Sequence, residues 1–185
     1  MNLLTRIASW FTNNEVLPEF TPRAQQALAI SRKIAVHRQK VITENDDLLV
    51  AFCVLGSGSA YEALKQCGSN PADILTHFGI SDGWQKQVAP AHFPYHDAVK
   101  IVLALAIRES KSMKSAYVGT DHILIAMFNP RTGSMSAYFK AQGIILNEIK
   151  SKLNEMKNKK KEPNQALEPT TTAVTSPAAQ EPRQL

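Results

Sequence analysis

The sequence repeats itself, and this repeat limits the fold more than any other feature of the chain. A shift of 75 residues aligns 20–78 with 95–153 without a gap. The identical pairs include Leu28/Leu103, Ala29/Ala104, Asp46/Asp121, Leu49/Leu124, Ala51/Ala126, Gly58/Gly133 and Gly68/Gly143. Apolar character is also kept at many positions where the residue changes. A match of this length predicts a chain that contains two copies of one supersecondary unit.

Each copy has the hydrophobic pattern of four helices. In the first copy, Thr21 followed by Pro22 is typical of a helix start, and apolar residues then recur at helical spacing to about His37. The predicted helices cover about 22–37, 45–55, 59–67, 71–78, 96–113, 120–129, 134–142 and 145–157. Strand-like alternation of polar and apolar residues is missing. The prediction is an all-α fold of eight helices in two pseudo-symmetric halves.

The repeats define the domain organisation. We expect repeat one over 20–78, a connector over 79–94 and repeat two over 95–157, with Trp84 and Phe93 of the connector joining the halves. Beyond repeat two, residues 158–185 are first basic and then rich in Pro, Thr and Ala. Such a stretch has too few large aliphatic residues to offset the entropy of ordering, which predicts a disordered tail.

Residues 1–19 precede the first repeat and contain a short amphipathic pattern. Its apolar residues at helical spacing are Leu3, Leu4, Ile7, Trp10 and Phe11. The long apolar core and the cleavage site of a secretory signal are missing. Three interpretations stay open: a helix packed on the body, membrane-surface contact by residues 1–12, or a helix that binds a partner.

Composition and charge exclude several classes of function. Hydrophobic residues make up 44% of the chain and charged residues 20%, as in globular proteins, and no apolar run is long enough to cross a bilayer as a helix. Residues 1–149 carry a net charge of +2 and residues 150–185 carry +3, so the repeats are nearly neutral, which argues against nucleic-acid binding as their role. Cys53 and Cys67 are expected to be reduced, in a cytoplasmic protein.

Motifs for catalysis, metal binding and nucleotide binding are missing from the sequence. The five histidines and two cysteines do not have metal-ligand spacing, and no glycine is followed by lysine as in a phosphate-binding loop. We therefore expect no enzymatic activity, no cofactor, no metal and no ATP binding.

Two motifs resemble those of a known family. The segment Phe20-Thr21-Pro22-Arg23-Ala24 and the segment Tyr117-Val118-Gly119-Thr120-Asp121-His122-Ile123-Leu124 are similar to the repeat motifs of the Clp N-terminal (Clp repeat) domain. This domain precedes the ATPase modules of AAA+ unfoldases of the ClpA, ClpB and ClpC types. The resemblance covers about 20–155. Because a phosphate loop is missing, it implies a free-standing double-repeat domain.

The resemblance implies a protein-interaction function. The expected partners are Clp unfoldase or protease subunits, adaptors or substrates, which the chain would bind as an accessory or regulatory component. An alternative is a sensor of phospho-arginine or another small charged ligand, with one pocket per repeat. The positions that match the ligand-binding residues of the family are Thr21, Asp46, His96, Thr120 and Asp121.

The chemistry of these residues fits such a ligand, but the residues also allow a simpler interpretation. A carboxylate pairs with a guanidinium group, while hydroxyl groups and helix N-terminal amides bind phosphate. Asp46 and Asp121 could instead cap the second and sixth helices, with Asn45 and Thr120 in the same role.

Overall fold

The computed structural model describes residues 19–80, 82–90 and 92–161. Over these ranges the chain forms eight α-helices, which confirms the all-α prediction. They are α1 (Pro22–His37), α2 (Asn45–Leu55), α3 (Ser59–Gln66), α4 (Pro71–His77), α5 (Asp97–Ser112), α6 (Thr120–Met127), α7 (Ser134–Ala141) and α8 (Leu146–Lys161). The predicted N-terminal helix and the tail from residue 162 onward lie outside the described residues.

The first helix of each repeat begins in the same way. The Thr21 hydroxyl accepts a hydrogen bond from the Ala24 N–H at 3.2 Å, and Pro22 occupies the first helical position. In repeat two, His96 Nδ1 accepts from the Ala98 N–H at 3.1 Å. Both helices are 16 residues long. A hydroxyl and an imidazole at equivalent positions therefore each satisfy one free N–H group of the first turn, the third helical N–H in α1 and the second in α5.

The second helix of each repeat is central. In α2, the five residues from Leu48 to Phe52 are at most 1% exposed. In α6, every residue from Thr120 to Met127 is buried. Helix α2 packs mainly on α1, and α6 packs mainly on α5. A helix that is apolar almost all round needs cover on all sides, which its own repeat and the other repeat supply together.

The two repeats meet through a pseudo-two-fold exchange of extended segments. Strand β1 (Glu19–Phe20) pairs in parallel with β2 (Tyr117–Val118), so that Phe20 lies opposite Val118. A bridge between Thr43 and Tyr95 repeats this pairing with the repeats exchanged. The sequence predicted no strand, because two paired residues are too short to produce an alternating pattern.

The fourth helix is where the repeats differ. Helix α4 has seven residues, whereas α8 has 16 and continues to Lys161, so it includes 158–161, which the sequence assigned to the tail. After α4 the chain turns back through a short 3-10 helix (Trp84–Lys86), which packs on α1. Trp84 also contacts the core, and Phe93 is 9% exposed.

Among the described residues, none of the helices is by itself both long enough and apolar enough to cross a membrane. Asn45–Leu55 and Ser59–Gln66, bent by 88° relative to each other, meet the criterion as a pair, by length and composition alone.

Candidate functional site

One cavity brings together three of the five residues that the resemblance pointed to. Thr21, Thr120 and Asp121 line a cavity of about 410 Å³, which we call the Thr21 cavity. Thr21 belongs to repeat one, whereas Thr120 and Asp121 belong to repeat two. Arg23, Ser59 and Lys157 line the same space. The start of α1 therefore faces the start of α6 from the other repeat.

The other two predicted residues, Asp46 and His96, line a smaller cavity of about 180 Å³, which we call the His96 cavity. Its lining matches that of the Thr21 cavity after the 75-residue shift: His96 takes the place of Thr21, Asp46 that of Asp121, Asn45 that of Thr120, and Ser134 that of Ser59. Each cavity thus combines the first helix of one repeat with the second helix of the other, so neither belongs to a single repeat.

In the Thr21 cavity, the Asp121 carboxylate is already paired. Lys157 Nζ lies 3.0 Å from Asp121 Oδ2, and His122 Nδ1 lies 3.1 Å from Oδ1. The Asp121 side chain is 6% exposed. Burial would raise the pKa of this carboxyl group, but the charge of Lys157 outweighs burial and holds the pKa below its ordinary value. His122 Nδ1 accepts the Gly119 N–H at 2.9 Å and is therefore not a donor to Asp121. Lys157 thus stands where a cationic ligand group would have to bind.

In the His96 cavity, Asp46 is paired as well. Arg38 Nη1 lies 2.6 Å from Asp46 Oδ2, and Lys40 Nζ lies 2.9 Å from Asp46 Oδ1. Burial would raise the pKa of Asp46, but Lys40 and Arg38 lower it by more. The pKa of Asp46 therefore lies below its ordinary value. The neighbouring Asp47 carboxyl contacts the same two cations, yet its pKa is raised, because its side chain is fully buried and lies beside the charged Asp46.

The carboxylates of Glu44, Asp46 and Asp47 lie within 4.8 Å of one another, as in a cation site. Lys40 lies 2.7 Å from Glu44, and both Lys40 and Arg38 contact the two aspartates. These side chains supply the positive charge that a metal ion would otherwise provide. Two cations therefore compensate most of the charge of the three carboxylates from within the chain.

The cations in the two cavities come from positions that are not equivalent. The 75-residue shift places Met113 and Ser115 at the positions of Arg38 and Lys40, and it places Lys157 at the position of Asp82. Repeat one neutralises its aspartate from the loop after α1, whereas repeat two uses the extended end of α8. Sequence reasoning missed these partners, since Lys157 resembled any other basic residue near a helix end.

Known proteins share the sequence pattern and the fold of this chain. The family model of the Clp repeat (R) N-terminal domain matches residues 19–142 and 95–184. The chain belongs to this family. A curated relative, the ATP-dependent Clp protease ATP-binding subunit ClpA homolog of Cyanidium caldarium, is 22% identical over 156 residues, which are 84% of this chain and 18% of the relative. The chain spans less than a fifth of the length of the curated relatives that it matches first.

Solved structures share the fold. The Hsp104 N-terminal domain from Candida albicans is 20% identical with a TM-score of 0.59, and the match covers 75% of this chain and 91% of that one. A ClpV N-domain in complex with a VipB peptide is 17% identical with a TM-score of 0.59, covering 84% and 93% of the two chains. At this level of identity the likeness establishes the Clp N-domain fold.

In this Clp N-domain, Asp46 and Asp121 are not the N-cap residues of their helices, although Asp46 Oδ1 accepts the Asp47 N–H of the first turn of α2 at 2.9 Å. The cap residues are Glu44 and Gly119. Their N–H groups donate to Asp47 Oδ2 and to His122 Nδ1, both at 2.9 Å. The side chains that satisfy these N–H groups therefore lie one residue further along the chain than predicted.

Asn45 and Thr120 also have a role other than capping. The Thr120 hydroxyl accepts from the Ala60 N–H at 3.3 Å, and Asn45 Nδ2 donates to the Thr132 carbonyl at 3.0 Å. Both bonds join the second helix of one repeat to the start of the third helix of the other. They hold the two walls of each cavity together.

An apolar groove of about 380 Å³ adjoins the Thr21 cavity. It lies between α3 and α8 and is lined by Gly58, Ser59, Glu62, Leu153, Met156, Lys157 and Lys159. Gly58, Ser59 and Lys157 line both spaces, so the two are continuous. We call them together the α3–α8 surface. It offers an apolar floor with basic side chains along its edge.

Proposed function

We propose that this chain is a non-catalytic protein-interaction module, and that it acts as an accessory or regulatory component of a Clp AAA+ unfoldase or protease system. It binds an adaptor or substrate polypeptide and supplies neither ATP binding nor catalysis. The proposed location is the cytoplasm, which suits two free cysteines, one of them buried.

The α3–α8 surface carries the proposal. Its groove and cavity have volumes of about 380 and 410 Å³, and Leu153 and the more exposed Met156 give the groove its apolar lining. The solved ClpV N-domain that shares this fold holds a VipB peptide. A bound polypeptide would bury apolar area in the groove while its polar groups face the hydroxyls of Thr21 and Ser59.

The charges around this surface favour an acidic partner. Arg23 and Lys159 are exposed. Lys157 and Asp121 neutralise each other, so Arg23 and Lys159 against Glu62 leave one net positive charge in the lining. Complementary charge steers encounter and selects among partners more than it adds affinity. We therefore expect partner segments that combine apolar and acidic side chains.

The test is retention of purified Clp components on the immobilised full chain. We expect binding of a Clp unfoldase subunit, of an adaptor or of a degradation substrate, and loss of binding in the variants Met156→Glu and Arg23→Glu. Lys140→Glu, an exposed charge reversal on α7, is the matched control and should bind normally. Failure to retain any of the three classes of protein would overturn the proposal.

Sensing of phospho-arginine remains a second candidate. It is favoured because the Thr21 cavity brings the Thr21 and Thr120 hydroxyls next to the Asp121 carboxylate. A guanidinium would have to displace Lys157 from Asp121. Calorimetry with phospho-arginine should therefore give weak heat with the unaltered chain and a larger heat with Lys157→Met. Equal or absent heats in both would exclude this candidate and leave the interaction function untouched.

A further inference from the structure

Repeat two contains an open cavity that the interaction surface does not use. It has a volume of about 520 Å³ and lies between α5, α6 and the start of α8. Its apolar lining includes Leu105, Ile125, Ala126, Phe128 and Leu146. At its edge, Glu109 and Lys150 pair with each other at 2.9 Å, and the exposed Arg108 is a further basic residue of the lining. We call this space the α5–α6 cavity.

In repeat one, a segment of the chain packs on the corresponding helix. The 3-10 turn Trp84–Lys86 packs on α1, and Gly83 lies against His37. The 75-residue shift places His37 at the position of Ser112, which lines the α5–α6 cavity. In repeat two, α8 continues as a helix where the chain of repeat one turns back, so that within the described ranges no segment after α8 returns to α5.

Exposure of the core reflects this difference. Val50 and Ala51 of α2 are fully buried, whereas their counterparts in α6, Ile125 and Ala126, remain 6% and 5% exposed. The α5–α6 cavity is thus the place in repeat two that corresponds to a covered face in repeat one. A segment with a large aromatic side chain would cover this face of repeat two, as the connector with Trp84 covers α1 in repeat one.

We propose that residues 3–11 of this chain dock in the α5–α6 cavity through Trp10 and Phe11. The chain has two tryptophans, and Trp10 is the one that the connector does not contain. Leu3, Leu4 and Ile7 lie on the same predicted helical face and extend the contact. The C-terminal residues 162–185 are a poorer occupant, because they contain no aromatic residue.

The distances allow this docking. Glu19 pairs with Tyr117, and five residue steps separate Tyr117 from Ser112 at the wall of the cavity. The span is therefore at most roughly 23 Å, from about 3.5 Å per step and about 5 Å between strands. Eight steps separate Phe11 from Glu19, and they reach about 27 Å when extended. The tether is long enough for an intramolecular contact, which has a high effective concentration.

The first test uses Trp10 as a fluorescent reporter in the full chain with Trp84→Phe. We expect a blue-shifted Trp10 emission that acrylamide quenches poorly. Adding Leu105→Glu, which places a charge in the cavity, should shift the emission to the red and restore quenching. Ile101→Glu lies one turn earlier on α5, outside the cavity lining, and should change neither. A Trp10 that is fully exposed in the absence of Leu105→Glu overturns the proposal.

The second test does not depend on a buried substitution. The background carries Trp84→Phe and Cys67→Ser. A nitroxide is attached to a cysteine introduced by Ser112→Cys or, in the groove of the α3–α8 surface, by Glu62→Cys. Cys53 is buried, and burial raises the pKa of its thiol to about 12, so it reacts slowly. We expect strong quenching of Trp10 from position 112 and weak quenching from position 62. The reverse order, equal weak quenching, or quenching that rises with protein concentration overturns the proposal.

Discussion

Lys157 Nζ lies 3.0 Å from Asp121 Oδ2, and this contact ties the end of α8 to the start of α6. The shifted counterpart of Asp121, Asp46, receives its cations from Arg38 and Lys40 instead. Both repeats thus keep a paired aspartate at the same place in the fold but use different residues to pair it. The longer α8 is what makes the second solution geometrically available.

Replacing Lys157 with Met should destabilise the chain by about 1 kcal/mol at pH 7. It leaves a buried carboxylate with less positive charge nearby, although the partial exposure of Lys157 limits the loss. The measurement is urea unfolding of the two proteins. Lys152→Met alters an exposed pair with Glu155 on the same helix and should have no measurable effect.

The same variant should change the dependence of stability on pH. The folded-state pKa of Asp121 is lowered, so the pair contributes stability above the unfolded pKa of about 3.9 and loses it as the pH falls below that value. Unfolding measured from pH 6 to pH 2 should therefore show a shallower acid loss in Lys157→Met than in the unaltered chain. Parallel curves would assign the acid loss to other groups.

Replacing Gly119 with Ala should destabilise the chain by roughly 1–3 kcal/mol, because a β-carbon there would collide with Asp121 Oδ1. Its φ of −92° is accessible to any residue, so the cause is steric and does not involve backbone strain. The equivalent position in repeat one is Glu44, and Glu44→Ala should cost much less. Thermal unfolding compares the two, and equal losses would contradict the steric explanation.

Removing both cations of the Asp46 cluster should cost more than the sum of the single removals. After either single removal, the remaining cation still contacts both Asp46 and the fully buried Asp47. We expect about 1 kcal/mol for Arg38→Met or Lys40→Met and about 3–5 kcal/mol for the double variant. A double-mutant cycle in urea measures the coupling. Additive losses would mean that the two cations act independently.

Replacing Tyr95 with Phe should cost about 1 kcal/mol, the value of one buried hydrogen bond. The Tyr95 hydroxyl donates to the Leu28 carbonyl at 3.0 Å and joins repeat two to repeat one. The counterpart of Tyr95 is Phe20, which is also buried, so the ring itself fits at such a position. Tyr117→Phe, at a side chain that is 54% exposed, should leave the free energy of unfolding unchanged.

The helices were accessible from the sequence because their determinants are local. Thr21 and Pro22 mark the start of α1, and the apolar spacing that follows fixes its length. The end of α8 was predicted four residues too early. Its last turn contains lysines, which occur equally well in a helix and in a solvated tail. Strands β1 and β2 were missed because their stability comes from partners almost a hundred residues away.

The candidate site could be predicted only in part. The 75-residue repeat pointed to Asp46 and Asp121 and to Thr21 and His96, but it grouped them by repeat. The fold exchanges segments between repeats, so that Thr21 meets Asp121 and His96 meets Asp46. Sequence order does not reveal such an exchange, because both arrangements satisfy the same hydrophobic pattern.

The sequence by itself determined that this chain is a duplicated helical domain, because repeat length, helix starts and apolar spacing are properties of neighbouring residues. The tertiary structure alone decided which charges meet, since Lys157 reaches Asp121 only after α8 has packed against α3. An ion pair between distant residues depends on distances of a few ångströms that local pattern does not encode. The same packing also decided that residues 19–161, as far as the structure describes them, leave the α5–α6 cavity of repeat two uncovered, while the 3-10 turn Trp84–Lys86 covers α1 of repeat one.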